Sequence, residues 1–267
     1  MSEICKNCSD EIILNFCGNC GQKKAKRIDR NYIKDELQYT VLHMNKGFLY
    51  SIKKILKGPG KTAREFVEGN RVNHYKPILL VFVVSGISAF LTNFLVQPEE
   101  IIVKYYVEYA NYTPEFAKNM NSFITKYSSF MMLLFVPFMA FFTWLTFKKW
   151  GYNYYENVVA TAYSLVCTQV ISILILIPFQ LIFKTNVYWF AIGTSILSSI
   201  IMIGVFIWFY IDFYNNKSAG EVILRLFIML FSLIISFVVL MIIIGVGAGI
   251  FMAVNGIDPK SYFKMNP

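Results

Sequence analysis

Apolar positions along this chain follow two patterns. Before Pro77 they recur at helical steps among charged residues; after it they run in long, nearly unbroken blocks. A helix needs about 20 mainly apolar residues to cross roughly 30 Å of hydrocarbon. Five blocks qualify, at residues 78–96, 128–147, 158–183, 188–210 and 222–254. None carries a charge near its centre, and Pro137 and Pro178 inside two of them predict kinks. The last block has 33 residues, more than one crossing requires, so it must tilt, protrude or break. Gly245, Gly247 and Gly249 mark the expected break, and Gly245-x3-Gly249 also predicts a helix–helix contact. The predicted fold class is therefore an all-α polytopic membrane protein of about five transmembrane helices.

Ahead of these blocks, Ile33, Leu37, Val41, Met44, Phe48, Ile52 and Ile55 lie three or four residues apart between Tyr32 and Leu56. That spacing predicts an amphipathic helix, with Lys34, Lys46, Lys53 and Lys54 off the stripe and Gly58-Pro59-Gly60 ending it. Thr62-x2-Glu65 reads as a capping box opening a short helix that Gly69 closes. Two placements are open. The stretch lies on the inner leaflet with its lysines over anionic headgroups, or it packs against the ends of the spans. Between the first two blocks, Tyr105, Tyr106, Tyr109 and Tyr112 suit an outer interface, and Thr113-Pro114-Glu115 reads as a helix start.

Composition agrees with a membrane protein. Of 267 residues, 56% are hydrophobic and 15% charged, against about 25% charged in ordinary soluble domains. The net charge of +9 is concentrated at the front, where residues 1–76 hold 15 of the 25 Lys and Arg. With the N-terminus inside, the cytoplasmic segments carry 19 basic residues and the outer segments 6. This predicts a multi-pass membrane protein with its N-terminus on the cytoplasmic side and its C-terminus outside. The same asymmetry accounts for the positive charge without nucleic acid as a partner. No apolar h-region occurs in the first 25 residues, so no cleavable signal peptide is expected.

Four of the five cysteines form a sharper pattern. Cys5-x2-Cys8 and Cys17-x2-Cys20 are two pairs separated by eight residues. Two such turns place four thiolates tetrahedrally, which suits a structural Zn²⁺ site with no open coordination position. Iron would accept the same ligands. Gly18 and Gly21 supply backbone freedom for the turns. So short a segment would fold only on its metal. Disulfides are disfavoured in a reducing cytosol, and Cys167, inside an apolar block, reads as a packing residue. The predicted organisation is a zinc ribbon at 1–22, a basic linker with amphipathic helices at 23–76, a helical membrane domain at 77–254 and a tail at 255–267.

Taken together, Cys5-x2-Cys8, Phe16-Cys17-x2-Cys20-Gly21-Gln22, Gly47-Phe48-Leu49, Gly58-Pro59-Gly60, Glu68-Gly69-Asn70-Arg71 and Tyr75-Lys76-Pro77 resemble a bacterial family of membrane proteins with an N-terminal zinc ribbon and a domain of unknown function. The resemblance covers roughly residues 5–90. It implies a ribbon fused to a membrane domain and brings no activity with it. The layout of a cytoplasmic N-terminus before five spans is also similar to the Yip family of trafficking proteins.

Catalytic patterns are sparse. Neither His43 nor His74 belongs to an HExxH motif, and no nucleophile elbow is present. Arg71, His74, Tyr75 and Lys76 sit at the inner interface and could contact a lipid phosphate; the alternative is anchoring by snorkelling side chains. Arg225, the one charge within a span boundary, is near enough to its end to snorkel. Asn93, Gln169 and Gln180 could line a polar path or join neighbouring helices. The reading that follows is a non-enzymatic adaptor or assembly factor that docks a protein partner through the ribbon. The alternative is a small, oligomeric permease or channel regulated by the ribbon. A lipid-active membrane enzyme, resting on Arg71–Lys76 alone, comes third.

Overall fold

The structure is a computed structural model that describes residues 3–4, 9–13, 15–21, 46–70 and 74–255. The chain divides into two compact units, residues 1–46 and 47–267. In the first, β1 (Glu3–Ile4) pairs antiparallel with β2 (Glu11–Ile12), Glu3 opposite Ile12 and Ile4 opposite Glu11. Ile12 is buried against Cys17. Most of the predicted amphipathic stretch, from Tyr32 to Asn45, lies outside the described residues.

The second unit is helical. Two short helices come first, α1 (Lys46–Lys57) and α2 (Pro59–Val67). Then α3 (Pro77–Leu91) runs into a π turn at Thr92–Val96. It is followed by α4 (Glu99–Tyr109), α5 (Pro114–Phe147), α6 (Tyr154–Ile182), α7 (Thr194–Phe213, preceded by a π turn at Trp189–Gly193) and α8 (Ala219–Asn255). Five of these stretches are long and apolar enough to cross a membrane: 77–96, 114–150, 154–182, 189–213 and 219–252. The start at Thr113-Pro114-Glu115 is present, with the Thr113 hydroxyl accepting from the Phe116 N–H at 3.4 Å. The second span is longer than its apolar block because the helix that begins there runs unbroken into it. A start that the apolar pattern does not mark is the capping box of Asn153 and Glu156, which opens α6 through bonds of 2.7 and 3.0 Å.

Helix α6 is the axis of the unit, packed against α2, α3, α5 and α7. Its residues 160–167 are buried all round. Small side chains at Ala160, Thr161, Ala162 and Ser164 let the neighbours approach, which matters because lipid offers no hydrophobic drive between helices. Cys167 is fully buried in this run, as its position predicts. At the end of the bundle away from α1 and α2, Val96, Ile177 and Phe190 form a second core.

One expectation for the last span is overturned. Helix α8 is continuous through Gly245, Gly247 and Gly249. A break in hydrocarbon would leave backbone groups unsatisfied at several kcal/mol each, far above the roughly 1 kcal/mol that glycine costs a helix. Those glycines also touch no other helix, since a Cβ at any of them would meet nothing within 4 Å. At 37 residues α8 is about 55 Å long, and it packs on α5 and α7 only through its first part, where Val222, Leu226 and Met229 are buried.

The capping box at Thr62 is also corrected. Helix α2 begins three residues earlier, at Pro59, and Thr62 lies inside it with its hydroxyl bonded to the Gly58 carbonyl at 2.7 Å. Proline at the first position is preset for a helix start, and the real cap comes from another helix. The Lys61 N–H donates to Asp212 Oδ2 on α7 at 2.8 Å. The far end closes as expected at Gly69, whose φ is +115°. Asn70 N–H bonds to Glu65 O and Gly69 N–H to Phe66 O, a Schellman closure.

Gly60 has a tertiary role. A Cβ there would lie 2.2 Å from Phe213 N and 2.3 Å from Phe209 O, so only glycine lets α2 seat on the end of α7. Gly60→Ala should lower stability by about 1–3 kcal/mol or more through overpacking. Gly86→Ala, on α3 with open space around its Cβ, should raise it by about 0.5–1 kcal/mol. Thermal unfolding of the two variants in the same detergent checks the opposite signs.

Candidate functional site

Where α1 and α2 meet the bundle, residues from six helices converge. Two helix ends cap one another there. Asp212 accepts from the N–H of Lys61, the third residue of α2, and Arg64 of α2 donates from Nη1 to the Asp212 and Phe213 carbonyls, both at 2.8 Å. The last carbonyls of a helix have no intrahelical partner, so one guanidinium serves two of them, with a cation where the helix dipole favours it. Arg225 does the same for α5. Its Nη1 donates to the Thr146 carbonyl at 2.6 Å, and its guanidinium stacks 4.6 Å from the Trp150 ring. The structure thus gives Arg225 protein partners at the helix end. Around these caps Phe147, Trp150, Tyr210, Phe213 and Tyr214 pack at centroid distances of 4.8–5.5 Å.

Beside this joint lies His74. It is 8% exposed, and the edges or faces of Tyr50, Phe66 and Tyr163 surround it at 5.2, 6.0 and 6.4 Å. Neither ring nitrogen has a hydrogen-bond partner among the described residues. Burial pulls its pKa below the ordinary histidine value; Glu65 opposes that pull and Lys54 reinforces it. Those two side chains form an ion pair of 4.0 Å. Tyr75 is buried against Phe48 of α1, and its N–H donates to the buried Ser51 hydroxyl at 2.8 Å. Of the four residues proposed for a lipid phosphate, His74 and Tyr75 therefore point into packing and Lys76 is exposed ahead of α3. Arg71 lies outside the described residues, as does His43.

Between the two placements considered for the basic helices, α2 packs against the ends of α6 and α7, burying Pro59, Gly60, Thr62 and Ala63. α1 buries Phe48, Ser51 and Ile55 and leaves Leu49, Lys53, Leu56 and Lys57 exposed.

Residues 45–89 match a family model. Its description is protein of unknown function, DUF3667. The DUF3667 segment comprises α1, α2, the His74 turn and most of α3, so its Gly58-Pro59-Gly60 and Glu68-Gly69-Asn70 residues are those that seat and close α2. No curated protein and no solved structure matches the chain.

Among the predicted metal ligands, Cys5 and Cys8 lie outside the described residues. Cys17 is buried and Cys20 exposed on one turn, which Gly21 closes by donating its N–H to the Cys17 carbonyl at 3.0 Å. Gly21 has φ +72°, whereas Gly18 keeps an ordinary backbone; the freedom required is at one glycine only. Among the described residues no three His, Cys, Asp or Glu side chains converge. Of the amides singled out, Gln169 joins α6 to Ser85 of α3, Asn93 bonds to its own helix, and Gln180 is buried.

Because the folded state holds His74 neutral, it binds fewer protons than the unfolded state just below pH 6.5. Stability should be full above that pH and decline as pH falls toward the lowered folded pKa. Thermal unfolding between about pH 7.5 and about pH 5.5 should show this decline in the wild type and a flatter profile in His74→Phe. At the upper end of that range the variant should be no less stable, because it removes two unpartnered buried nitrogens.

Proposed function

We propose that this protein is a non-enzymatic adaptor or assembly factor of the bacterial cytoplasmic membrane, with its N-terminus inside and its C-terminus outside. In this reading Cys5, Cys8, Cys17 and Cys20 hold a structural Zn²⁺ and the ribbon so formed docks a cytoplasmic protein. The observation that carries it is the Cys17–Gly21 turn. Two cysteines at C-x2-C spacing share one hydrogen-bonded turn, closed by a glycine with positive φ, and that spacing is the one a four-thiolate zinc site uses. Zinc would supply the cohesion that so small a segment lacks.

The locked joint of α1 and α2 supports the same reading from the other side. Helix α2 is capped onto a bundle end, which gives the helical unit a braced cytoplasmic face in this reading. The exposed Leu49, Lys53, Leu56 and Lys57 of α1 suit an anionic inner leaflet.

Purified wild type should contain about one zinc per chain by elemental analysis, and Cys17→Ser should lose it. Cross-linked co-purification from native membranes at matched expression should recover a partner with the wild type and lose it with Cys17→Ser. An identical partner set in both samples would overturn the docking role while leaving the metal site to the first measurement.

A further inference from the structure

A groove of about 340 Å³ opens between α3, α5 and α6 in the half of the bundle away from α1 and α2. Eight of the twelve residues lining it carry a hydroxyl or a carboxamide, and none is charged. The polar side chains come in facing stripes. On α3 and the π turn that continues it, Ser85, Ser88 and Thr92 stand at i, i+3 and i+7; on α5, Thr125 and Ser128 stand at i and i+3, with Ser129 beside them. These are single faces of two helices. Ser85 lies about 12 Å along α3 from Pro77 and Thr92 about 22 Å, so the groove runs from mid-membrane toward the far interface.

Helix-to-helix bonding accounts for only part of this polarity. Gln169 Nε2 donates to Ser85 Oγ at 2.8 Å, and Ser85 in turn donates to the Val81 carbonyl at 2.7 Å. That pair forms a fixed floor. Ser88, Thr92, Thr125 and Ser129 line the walls and, among the described residues, make no side-chain hydrogen bond that would hold α3, α5 and α6 together. A second depression, between Phe179, Trp189 and Ile200, has a nearly all-apolar lining, as a surface filled by lipid tails should. The contrast singles out the first groove, because a hydroxyl at membrane depth is costly to leave without a hydrogen-bond partner, which a polar ligand would supply.

We infer that this groove binds an uncharged polyhydroxylated group of about a monosaccharide's size, as a lipid headgroup or as a free sugar. Hydroxyls both donate and accept, so walls of serine and threonine match a ligand built of hydroxyls. The absence of charge among the lining residues argues against an anion or cation, whose burial without a counter-charge is costly. At about 340 Å³ the open groove admits a group of monosaccharide size with room left for water.

The test uses the full chain in detergent, read by native mass spectrometry. The probes are monoglucosyl diacylglycerol, plain diacylglycerol, phosphatidic acid and methyl glucoside. Wild type should retain the glucolipid over diacylglycerol and phosphatidic acid by about tenfold. Ser88→Ala/Ser129→Ala, which removes no bond that holds the helices, should lose about tenfold or more of that retention. Ser198→Ala/Ser199→Ala, on an outward face of α7, should lose none. Displacement of the glucolipid by methyl glucoside identifies the sugar alone as sufficient; retention despite it identifies the lipid-borne headgroup. Equal retention of glucolipid and diacylglycerol, preference for phosphatidic acid, or an undiminished Ser88→Ala/Ser129→Ala variant would overturn the proposal.

Discussion

The contact between Gly60 and the end of α7 governs the arrangement at the bundle end that carries α1 and α2. Backbone meets backbone there, with a Cβ at Gly60 excluded by Phe213 N at 2.2 Å. Only at that separation can Asp212 reach the start of α2 while Arg64 reaches the end of α7. Each helix thus satisfies the other's orphan backbone groups, and each bond is charge-assisted, worth about 1.5–3 kcal/mol. Apolar burial cannot play that part inside a bilayer, where lipid tails are as apolar as leucine. Helix ends near the interface are where directional bonds can still hold elements together. Arg225 repeats the device on α5.

From this anchor the rest of the joint follows. With α2 fixed, Glu65 can pair with Lys54 of α1, and Phe66 forms one wall of the pocket that encloses His74. The imidazole is held by packing, with no polar partner among the described residues, which is why its charge state is tied to whether the joint is closed. The family match spans this seam and continues into α3, so the segment shared with DUF3667 is a structural coupling between a short helix pair and the first span. The long α8 contrasts with it: beyond Met229 its side chains are exposed or only partly covered, and its backbone is satisfied within the helix itself.

Several features are legible in the order of residues along the chain. Five spans follow from block length and apolarity, since each must cover the same thickness of hydrocarbon, and the fold has five such helices at closely similar positions. The closing role of Gly69 and the start at Thr113-Pro114 are readable because caps are decided within a few residues. Local patterns mislead where a stronger constraint overrides them. Thr62-x2-Glu65 has the letters of a capping box, but Pro59 and Asp212 start that helix earlier. The three glycines of α8 look like a break, yet hydrocarbon penalises a break more than it penalises glycine.

Composition and spacing alone thus settle what depends on short stretches of chain: a helical, polytopic class, the number of apolar crossings, and two C-x2-C pairs at the front. Packing alone decides what depends on residues far apart in sequence. Asp212 and Lys61 are 151 positions apart, and Ser85 and Gln169 are 84 apart. Nothing near Gly60 in the chain announces that it must meet Phe213, and nothing in single serines on α3 and α5 says that their faces turn toward each other. Periodicity gives each helix its faces, but only the approach of one helix to another decides which faces meet and which polar groups remain open.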